Sequence, residues 1–470
     1  MNGLIIDCFA GGGGASVGIE MALGRSVDIA INHDPQAILM HKTNHCKTLH
    51  LTEDIFEVDL KKYVKDKRVA LMWASPDCTS HSKAKGGQPR NQGLRILPWA
   101  VYKHAKAILP DVIIMENVEE IQQWGPLDEN GHPIKERMGE EYKRFITAMK
   151  SLGYVFESKE LVAADYGAPT TRKRWYAIFR RDGRPIIFPA PTHSKTGSDG
   201  LKKWRPVSEV LDFGNLGKSI FDRKKPLAEN TLRRIARGIE KFVVNGGDQE
   251  FIIQYHSETA KGDFRGQSVA GPLMTIDTSN RYGLVSAFIS KFYKTGIGQS
   301  CLEPLHTITT SAGHFGQVSV LMTEWEKLKA AGVDEETAKK CTAVSRFIVE
   351  YYGSGTAQSV DEPLHTIVTK DRFALITVLG KEHVILDIFL RMLTPEELKL
   401  AQGFPKDYII DRDYKWRPYP TAEQVKRIGN SVVPIMAQAL VSANCPYLKE
   451  GEREPNLMIE EDDNRQMCFA

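Results

Sequence analysis

The opening residues constrain this chain most. Leu4-Ile5-Ile6-Asp7-Cys8-Phe9 is a short apolar run that leads into four consecutive glycines, Gly11 to Gly14, and then into a helical pattern near Ala15–Leu23. The alternation continues with a strand-like Val27–Asn32 before a helix from Pro35, and with apolar strands at Val69–Ala74 and Val112–Met115. The amphipathic stretch Pro98–Leu109 lies between those two, and a helix at Glu140–Leu152 precedes a late strand at Arg174–Arg180. Short apolar strands separated by helices predict an α/β fold with a doubly wound, mostly parallel sheet. In such sheets ligands gather beyond the carboxyl ends of the strands, where the polar motifs of this chain fall.

The chain has 470 residues, enough for two domains or more. Residues 191–200, rich in Ser, Thr, Gly, Lys and Pro, read as a boundary. Residues 201–242 then carry eleven Lys/Arg against five Asp/Glu, a patch that fits either phosphates or a solvated helix face. A helix is expected near Glu229–Phe242. Next comes an internal repeat: Gln267-Ser268 with Pro272-Leu273-Met274-Thr275-Ile276 recurs as Gln299-Ser300 with Pro304-Leu305-His306-Thr307-Ile308. The third copy is Gln358-Ser359 with Pro363-Leu364-His365-Thr366-Ile367. Each copy precedes a β-prone run, so the units predict strand–turn–strand elements, and a charged helical insertion near Thr323–Arg346 parts copies two and three. The α/β character returns near Asp387, with a helix start at Thr394-Pro395 and a helical pattern within Val425–Leu440. Residues 449–470 form an acidic tail. No apolar run reaches the ~18 residues of a membrane span, and the start lacks the basic region of a signal peptide, so membrane and secreted readings are disfavoured. Seven cysteines without a CxxC pair argue against a disulfide scaffold or zinc ribbon.

Several residues carry chemistry. Asp7, Phe9, Ala10 and Gly11 to Gly13 shape a loop that lets a ligand approach the backbone near a helix N-terminus, although a tight structural turn explains the glycines as well. Asn32 ends the second strand, where a polar side chain reaches ribose hydroxyls, and Asp54-Ile55 lies beyond the next apolar stretch, where a carboxylate accepts from an adenine amino group. Cys78, in the Ser/Thr-rich loop after Val69–Ala74, sits where nucleophiles sit; a buried, inert thiol is the bland alternative. Glu116 follows four apolar residues, a setting that raises a carboxyl pKa and suits proton donation, or else it caps the following helix. Arg172 and Arg174 alternate onto one face, where a guanidinium can grip a planar, carbonyl-bearing ligand. His41, His45, Cys46 and His50 have helical spacing; an ordinary polar helix face is favoured over a zinc site.

Taken together, these pieces resemble the cytosine-C5 DNA methyltransferases of the bacterial and phage kind. The resemblance rests on six motifs in family order: the Asp7-x-Phe9-Ala10-Gly loop, Pro76-x-Cys78, Glu116-Asn117-Val118, Arg172-x-Arg174, Gln402-Gly403-Phe404-Pro405 and Gly429-Asn430-Ser431-Val432. It implies a Rossmann-like, S-adenosylmethionine-dependent catalytic domain at 1–193 and an inserted, mainly β target-recognition domain at 194–384. A segment at 385–448 would return to the catalytic domain ahead of the tail. It further implies transfer of a methyl group to C5 of cytosine in double-stranded DNA through a Cys78–C6 adduct on a flipped-out base. Glu116 would act at N3, Arg174 at O2, with Arg172 beside them. Pro76, Asn430, Ser431 and Val432 would join the glycine loop, Asn32, Asp54 and Ile55 around the methyl donor, with no metal. The loop Ser80–Arg95 would close over DNA, and Asn280, Arg281 and His314 are candidates to reach bases. The expected setting is a monomer in the cytoplasm of a bacterial or phage-infected cell, with a restriction endonuclease as functional companion. Departures are Asp77 and Thr79 around the nucleophile, Asn32 in place of an acid, and Thr170 before the arginine pair. A methyltransferase acting on RNA and a catalytically weak DNA-binding homologue are the alternatives.

Overall fold

The computed structural model describes residues 3–77, 95–212 and 393–449, with isolated residues and backbone strands in between. The chain divides into two compact units. One comprises Met1–Ala168, Arg172–Lys202 and Gln402–Ala470; the other comprises Pro169–Thr171 and Lys203–Ala401.

The first unit is built on a seven-stranded sheet: β1 (Leu4–Cys8), β2 (Ile29–Ile31), β3 (Leu49–Leu51), β4 (Val69–Ala74), β5 (Val112–Asn117), β6 (Val155–Val162) and β7 (Lys173–Arg180). Their spatial order is β3-β2-β1-β4-β5-β7-β6. Strands β1 to β5 pair in parallel, as the alternation of strand and helix requires. Strand β7 runs antiparallel to both β5 and β6. The reason is length: a parallel return needs a dozen or more residues, and only residues 163–172 separate β6 from β7.

The sheet is apolar on both faces because helices cover both. Ile6, Cys8, Met72, Ala74, Ile113 and Met115 pack with residues of helices at Leu97–Ile108 and Glu140–Ser151. Their immediate neighbours Ile5, Leu71, Trp73 and Ile114 turn to the other face, against α1 (Gly14–Leu23) and the helix Pro434–Asn444. This is the period-two pattern of a strand buried on both sides. The two helices on that second face approach closely at Gly18, where a β-carbon would fall 2.1 Å from the Pro434 carbonyl oxygen. The segment after Gln402 is thereby locked to the first helix of the chain.

In the second unit the described backbone is β-rich. One sheet orders Gly266–Ser268, Phe251–Gln254, Tyr282–Val285, Phe315–Val318, Phe288–Lys291 and Gln299–Ser300. Another joins Lys218–Ser219, Lys381–Leu390 and Val320–Glu324, with Leu375–Val378 also on Lys381–Leu390. Strands therefore occur at the first two repeat copies and after all three. The helix Pro395–Ala401 opens with a reciprocal cap. The Glu397 N–H donates to Thr394 Oγ1 (3.2 Å), and the Thr394 N–H donates to Glu397 Oε2 (2.8 Å). Most of the helix expected near Glu229–Phe242, the insertion beyond Glu324, the third Gln-Ser pair, Asn280, Arg281, His314 and the acidic tail beyond Lys449 lie outside the described residues. Among the described residues, no helix is long and apolar enough to cross a membrane.

Candidate active site

The glycine loop takes its shape from positive backbone angles at Phe9 (φ 66°), Gly11 (φ 44°) and Gly13 (φ 87°). The Ala10 N–H donates to the Ile31 carbonyl and the Gly13 N–H to the Ala10 carbonyl, both at 2.9 Å, which folds the turn back over the sheet's carboxyl edge. Protein atoms fill the space beside three of the four glycines. A β-carbon on Gly12 would meet Ser431 Oγ at 2.9 Å, one on Gly13 would meet the Tyr408 hydroxyl at 2.1 Å, and one on Gly14 would meet the Val432 carbonyl oxygen at 2.1 Å. At Gly11 the nearest atom, the Phe9 carbonyl oxygen, would be 3.7 Å away, so that side of the loop is not filled as closely as the others. The Gly-Asn-Ser-Val segment thus covers the loop. The Tyr408 hydroxyl donates to the Gly12 carbonyl (2.7 Å), and the Gln402 amide donates to the Ser431 carbonyl (2.9 Å). Asn430, the last residue of the helix Thr421–Asn430, is exposed.

Asn32 and Asp54 follow β2 and β3, neighbouring strands joined by the Asn32 N–H to the Leu51 carbonyl (3.1 Å). Asn32 Oδ1 accepts from the Asp34 N–H at 2.8 Å, which fixes the side chain at the strand end. Asp54 is exposed and accepts from the Phe56 N–H at 2.7 Å, whereas Ile55 is buried and its carbonyl meets His104 Nε2 at 2.8 Å. Asp34 caps the helix Pro35–Asn44, hereafter α2, and takes a 2.6 Å bond from Arg427 Nη1. Partial burial pushes its carboxyl up, but the Arg427 guanidinium and the capped N–H groups outweigh this and hold it below its ordinary value. Asp7 is fully buried, accepts from the Ser16 hydroxyl at 2.7 Å, and is pushed up to about 7 by loss of solvent.

The second cluster lies at the ends of β5 and β7. Glu116 is 6% exposed and opposes Tyr176 across the ladder. Arg174 Nε lies 3.2 Å, and Arg172 Nη2 3.8 Å, from Glu116 Oε1. Arg172 Nη1 also donates to the Gly429 carbonyl at 3.0 Å, joining this cluster to the segment that covers the glycine loop. Arg174 Nη1 donates to the Lys173 carbonyl (2.7 Å). Lys173, between the arginines, points the other way, to Glu119 at 2.7 Å and to Glu160. Pro76 is buried, and its carbonyl accepts from the Asn117 amide at 3.1 Å, so the loop after β4 leaves the sheet beside the loop after β5. Cys78 lies outside the described residues, as does the loop that follows it up to residue 94. Arg95, at the far end of that loop, is buried and donates to the Gly125 carbonyl (2.8 Å).

Glu116, Arg172 and Arg174 are therefore brought together, and Gly12 and Gly14 meet Ser431 and Val432. Three residues of the site carry no sequence signal of their own: Tyr408, Arg427 and Ser16. The histidines also differ from expectation. His41, on α2, and His45, its C-cap, are buried at 0% and 3% exposure; both ring nitrogens of His41 and Nδ1 of His45 find partners within hydrogen-bond distance.

A family model for C-5 cytosine-specific DNA methylases matches residues 4–444. A type II methyltransferase of Haemophilus parahaemolyticus, M1.HphI, is 26% identical over 278 residues, covering 54% of this chain and 68% of that protein. The Staphylococcus aureus type II methyltransferase M.Sau3AI is 21% identical over 453 residues, covering 92% and 95%. The crystal structure of a Spodoptera frugiperda DNMT2 mutant aligns with a TM-score of 0.47 at 14% identity, over 94% of this chain and 99% of that one. The chain belongs to the C-5 cytosine-specific DNA methylase family and is a DNA methyltransferase.

Proposed function

We propose that this enzyme moves a methyl group from S-adenosylmethionine to C5 of a cytosine turned out of double-stranded DNA, through a covalent bond between Cys78 and C6 of the base. The observation that carries the reading is the buried Glu116 carboxylate beside two guanidiniums, one of which reaches the cover of the glycine loop.

The donor site fits the loop. Gly11 is the least crowded of the loop glycines, the others are consumed by packing, and Asn32 and Asp54 stand at the ends of adjacent strands. Asp7, Phe9, Ala10, Gly11 to Gly13, Asn32, Asp54, Ile55, Pro76 and Asn430 to Val432 would hold the donor, and Asn32 would hydrogen-bond the ribose where an acid is usual. Bound there, S-adenosylmethionine supplies a methyl group already activated by a sulfonium, so no metal is called for.

The protein's own groups act on the base. Cytosine C5 is a poor nucleophile; addition of the Cys78 thiolate to C6 makes C5 enamine-like. Glu116 protonates or holds N3, stabilising the adduct, and Arg174 binds O2. After methylation, loss of the C5 proton lets the thiolate leave. Extrusion of the base costs roughly a few kcal/mol. The inserted unit would read sequence, with Lys/Arg on phosphates and a few side chains on base edges. The type II names of the relatives support a restriction endonuclease as functional companion. A monomer in a bacterial or phage-infected cytoplasm is the setting that goes with this reading.

The test is a duplex carrying 5-fluorocytosine, incubated with enzyme and S-adenosylmethionine and run on a denaturing gel. A complex that survives denaturation, absent in Cys78→Ser, is the expected result. An enzyme that methylates ordinary duplex yet never traps the fluorinated one refutes the covalent route. Methylation of tRNA in preference to duplex DNA refutes the substrate.

A further inference from the structure

Beneath the glycine loop a chain of polar side chains runs from the protein's edge to Asp7. Ser16 Oγ lies 2.7 Å from Asp7 Oδ2, His41 Nε2 lies 2.9 Å from Ser16 Oγ, and His50 Nε2 lies 2.9 Å from His41 Nδ1. Asp7, Ser16 and His41 are each 0% exposed; His50, on the edge strand β3, is half-buried. Asp7 lies on β1 one residue before its end, Ser16 in the first turn of α1, and the glycines join those two elements. The chain therefore touches both ends of the loop and ends on Asp7, which is assigned to the donor, while Ser16, His41 and His50 carry no part assigned to methyl transfer.

We propose that Ser16, His41 and His50 form a proton wire that sets the charge of Asp7 from the protein surface and thereby makes methyl-donor binding respond to pH. This rests on the donor site lying at the glycine loop.

The hydrogen inventory allows two complete arrangements. With Asp7 ionised, the Ser16 hydroxyl donates to Asp7, His41 Nε2–H donates to Ser16 and His50 Nε2–H donates to His41 Nδ1. With Asp7 protonated, its O–H donates to Ser16, the Ser16 hydroxyl to His41 Nε2, and His41 Nδ1–H to His50 Nε2. Conversion takes up one proton at the half-buried His50 ring, at the edge of the sheet. One proton then passes along each hydrogen bond, from His50 to His41, from His41 to Ser16 and from Ser16 to Asp7. One proton enters, one arrives, and both histidines end neutral. Every link is bonded in both states, so the wire is bistable without side-chain movement.

The surroundings keep the charge on Asp7. Burial, then His45 and His50, hold His41 well below its usual range, so it stays neutral. His45 stacks on His41 with ring centres 4.5 Å apart and bonds Glu20 at 3.1 Å; Glu20 also feels Lys47. Tyr408 and Cys8 are the other titratable groups that feel Asp7, and burial pushes both up and keeps them neutral. Asp7 is poised near neutrality. A cationic donor is held better by its ionised form, so affinity is expected to fall as pH drops through about 7.

The experiment titrates S-adenosylmethionine into the full-length enzyme by calorimetry from about pH 6 to about pH 8.5. Ser16→Ala removes the bond that lowers the Asp7 pKa. Donor affinity at neutral pH should then fall roughly tenfold, and the midpoint of its pH dependence should rise. The Michaelis constant for the donor should rise in parallel, with kcat nearly unchanged. His50→Leu should also move the midpoint, while His50→Gln, which keeps a donor to His41, should restore it. Binding whose midpoint is the same in wild type, Ser16→Ala and His50→Leu overturns the wire but leaves the donor site standing. No binding to the wild type at any pH overturns the donor site and the wire together.

Discussion

Gly13 gives the sharpest test of how the glycine loop is built. Its φ of 87° is left-handed, so any side chain there costs ~1–2 kcal/mol before packing is considered. A β-carbon would also stand 2.1 Å from the Tyr408 hydroxyl and 3.2 Å from His45 Nε2. Gly13→Ala must therefore push the hydroxyl aside, breaking its 2.7 Å bond to the Gly12 carbonyl. The loss of that bond, with a buried carbonyl left unpaired, adds ~1–3 kcal/mol. The total is ~2–5 kcal/mol. Tyr408→Phe alone forfeits the hydrogen bond but removes the obstruction, leaving His45 Nε2 at 3.2 Å and a ring carbon at 3.3 Å from the new methyl. On that background Gly13→Ala should cost little more than its backbone penalty. A double-mutant cycle by denaturant unfolding should therefore show a favourable coupling of ~1–2 kcal/mol between the two substitutions. Additivity within ~0.5 kcal/mol would mean that the tyrosine does not roof the loop as described, and the packing argument would fail.

Two further outcomes follow from buried charge. Asp7 has a folded-state pKa raised to about 7 from an ordinary 3.8, so the folded state holds more protons than the unfolded chain between those values. Its contribution to stability therefore falls as pH rises across that window, by on the order of 4 kcal/mol, and is constant above it. Asp7→Asn removes that slope, so the variant should gain on the wild type from about pH 4 to about pH 7 in melting experiments; a gap that does not change with pH contradicts the assignment. His41, held neutral, contributes a slope of the opposite sign that is shared by both proteins and cancels. Arg180 is 2% exposed, pairs with Asp182 at 2.6 Å and donates to the Asn444 carbonyl at 2.7 Å. Arg180→Ala should cost ~1.5–3 kcal/mol by taking the charged donor from Asp182, which keeps Arg184 and Tyr447, and from the Asn444 carbonyl, and Arg180→Lys should recover little, since one ammonium cannot span both partners. Equal unfolding midpoints for wild type and Arg180→Ala would refute this.

The sheet was legible because its strands are apolar on both faces and its helices are not, so Val69–Ala74 and Val112–Met115 stand out without any context. The direction of β7 was less so, since it follows from the length of one connection. Glu116, Arg172 and Arg174 were legible for a related reason: a charge at the end of an apolar strand has few places to go. Residues whose meaning depends on a distant partner were not. Arg427 meets Asp34 and Tyr408 meets Gly12 across nearly four hundred positions, and nothing near either residue announces the contact. The histidines of α2 misled for a physical reason. Periodicity registers apolar faces, and a polar face that is buried looks, in one dimension, like a face turned to water.

Those long contacts explain why the family's last motifs matter to its first. Gly12, Gly13 and Gly14 are shaped by atoms of Tyr408, Arg427, Ser431 and Val432, and Gly18 by Pro434 and Ala437. Arg172 reaches Glu116 on one side and Gly429 on the other. The packing over Gly12, Gly13 and Gly14 is therefore complete only once the segment after Gln402 has docked. Forming that contact closes a loop of several hundred residues, but the entropic cost of closure grows only logarithmically with length. Interposing a large second unit between residues 202 and 402 thus adds little to that cost, provided the returning segment brings its own packing. Gly18 against Pro434 and Ala437 supplies it at the helix pair, a turn along α1 from the glycines whose cover it positions.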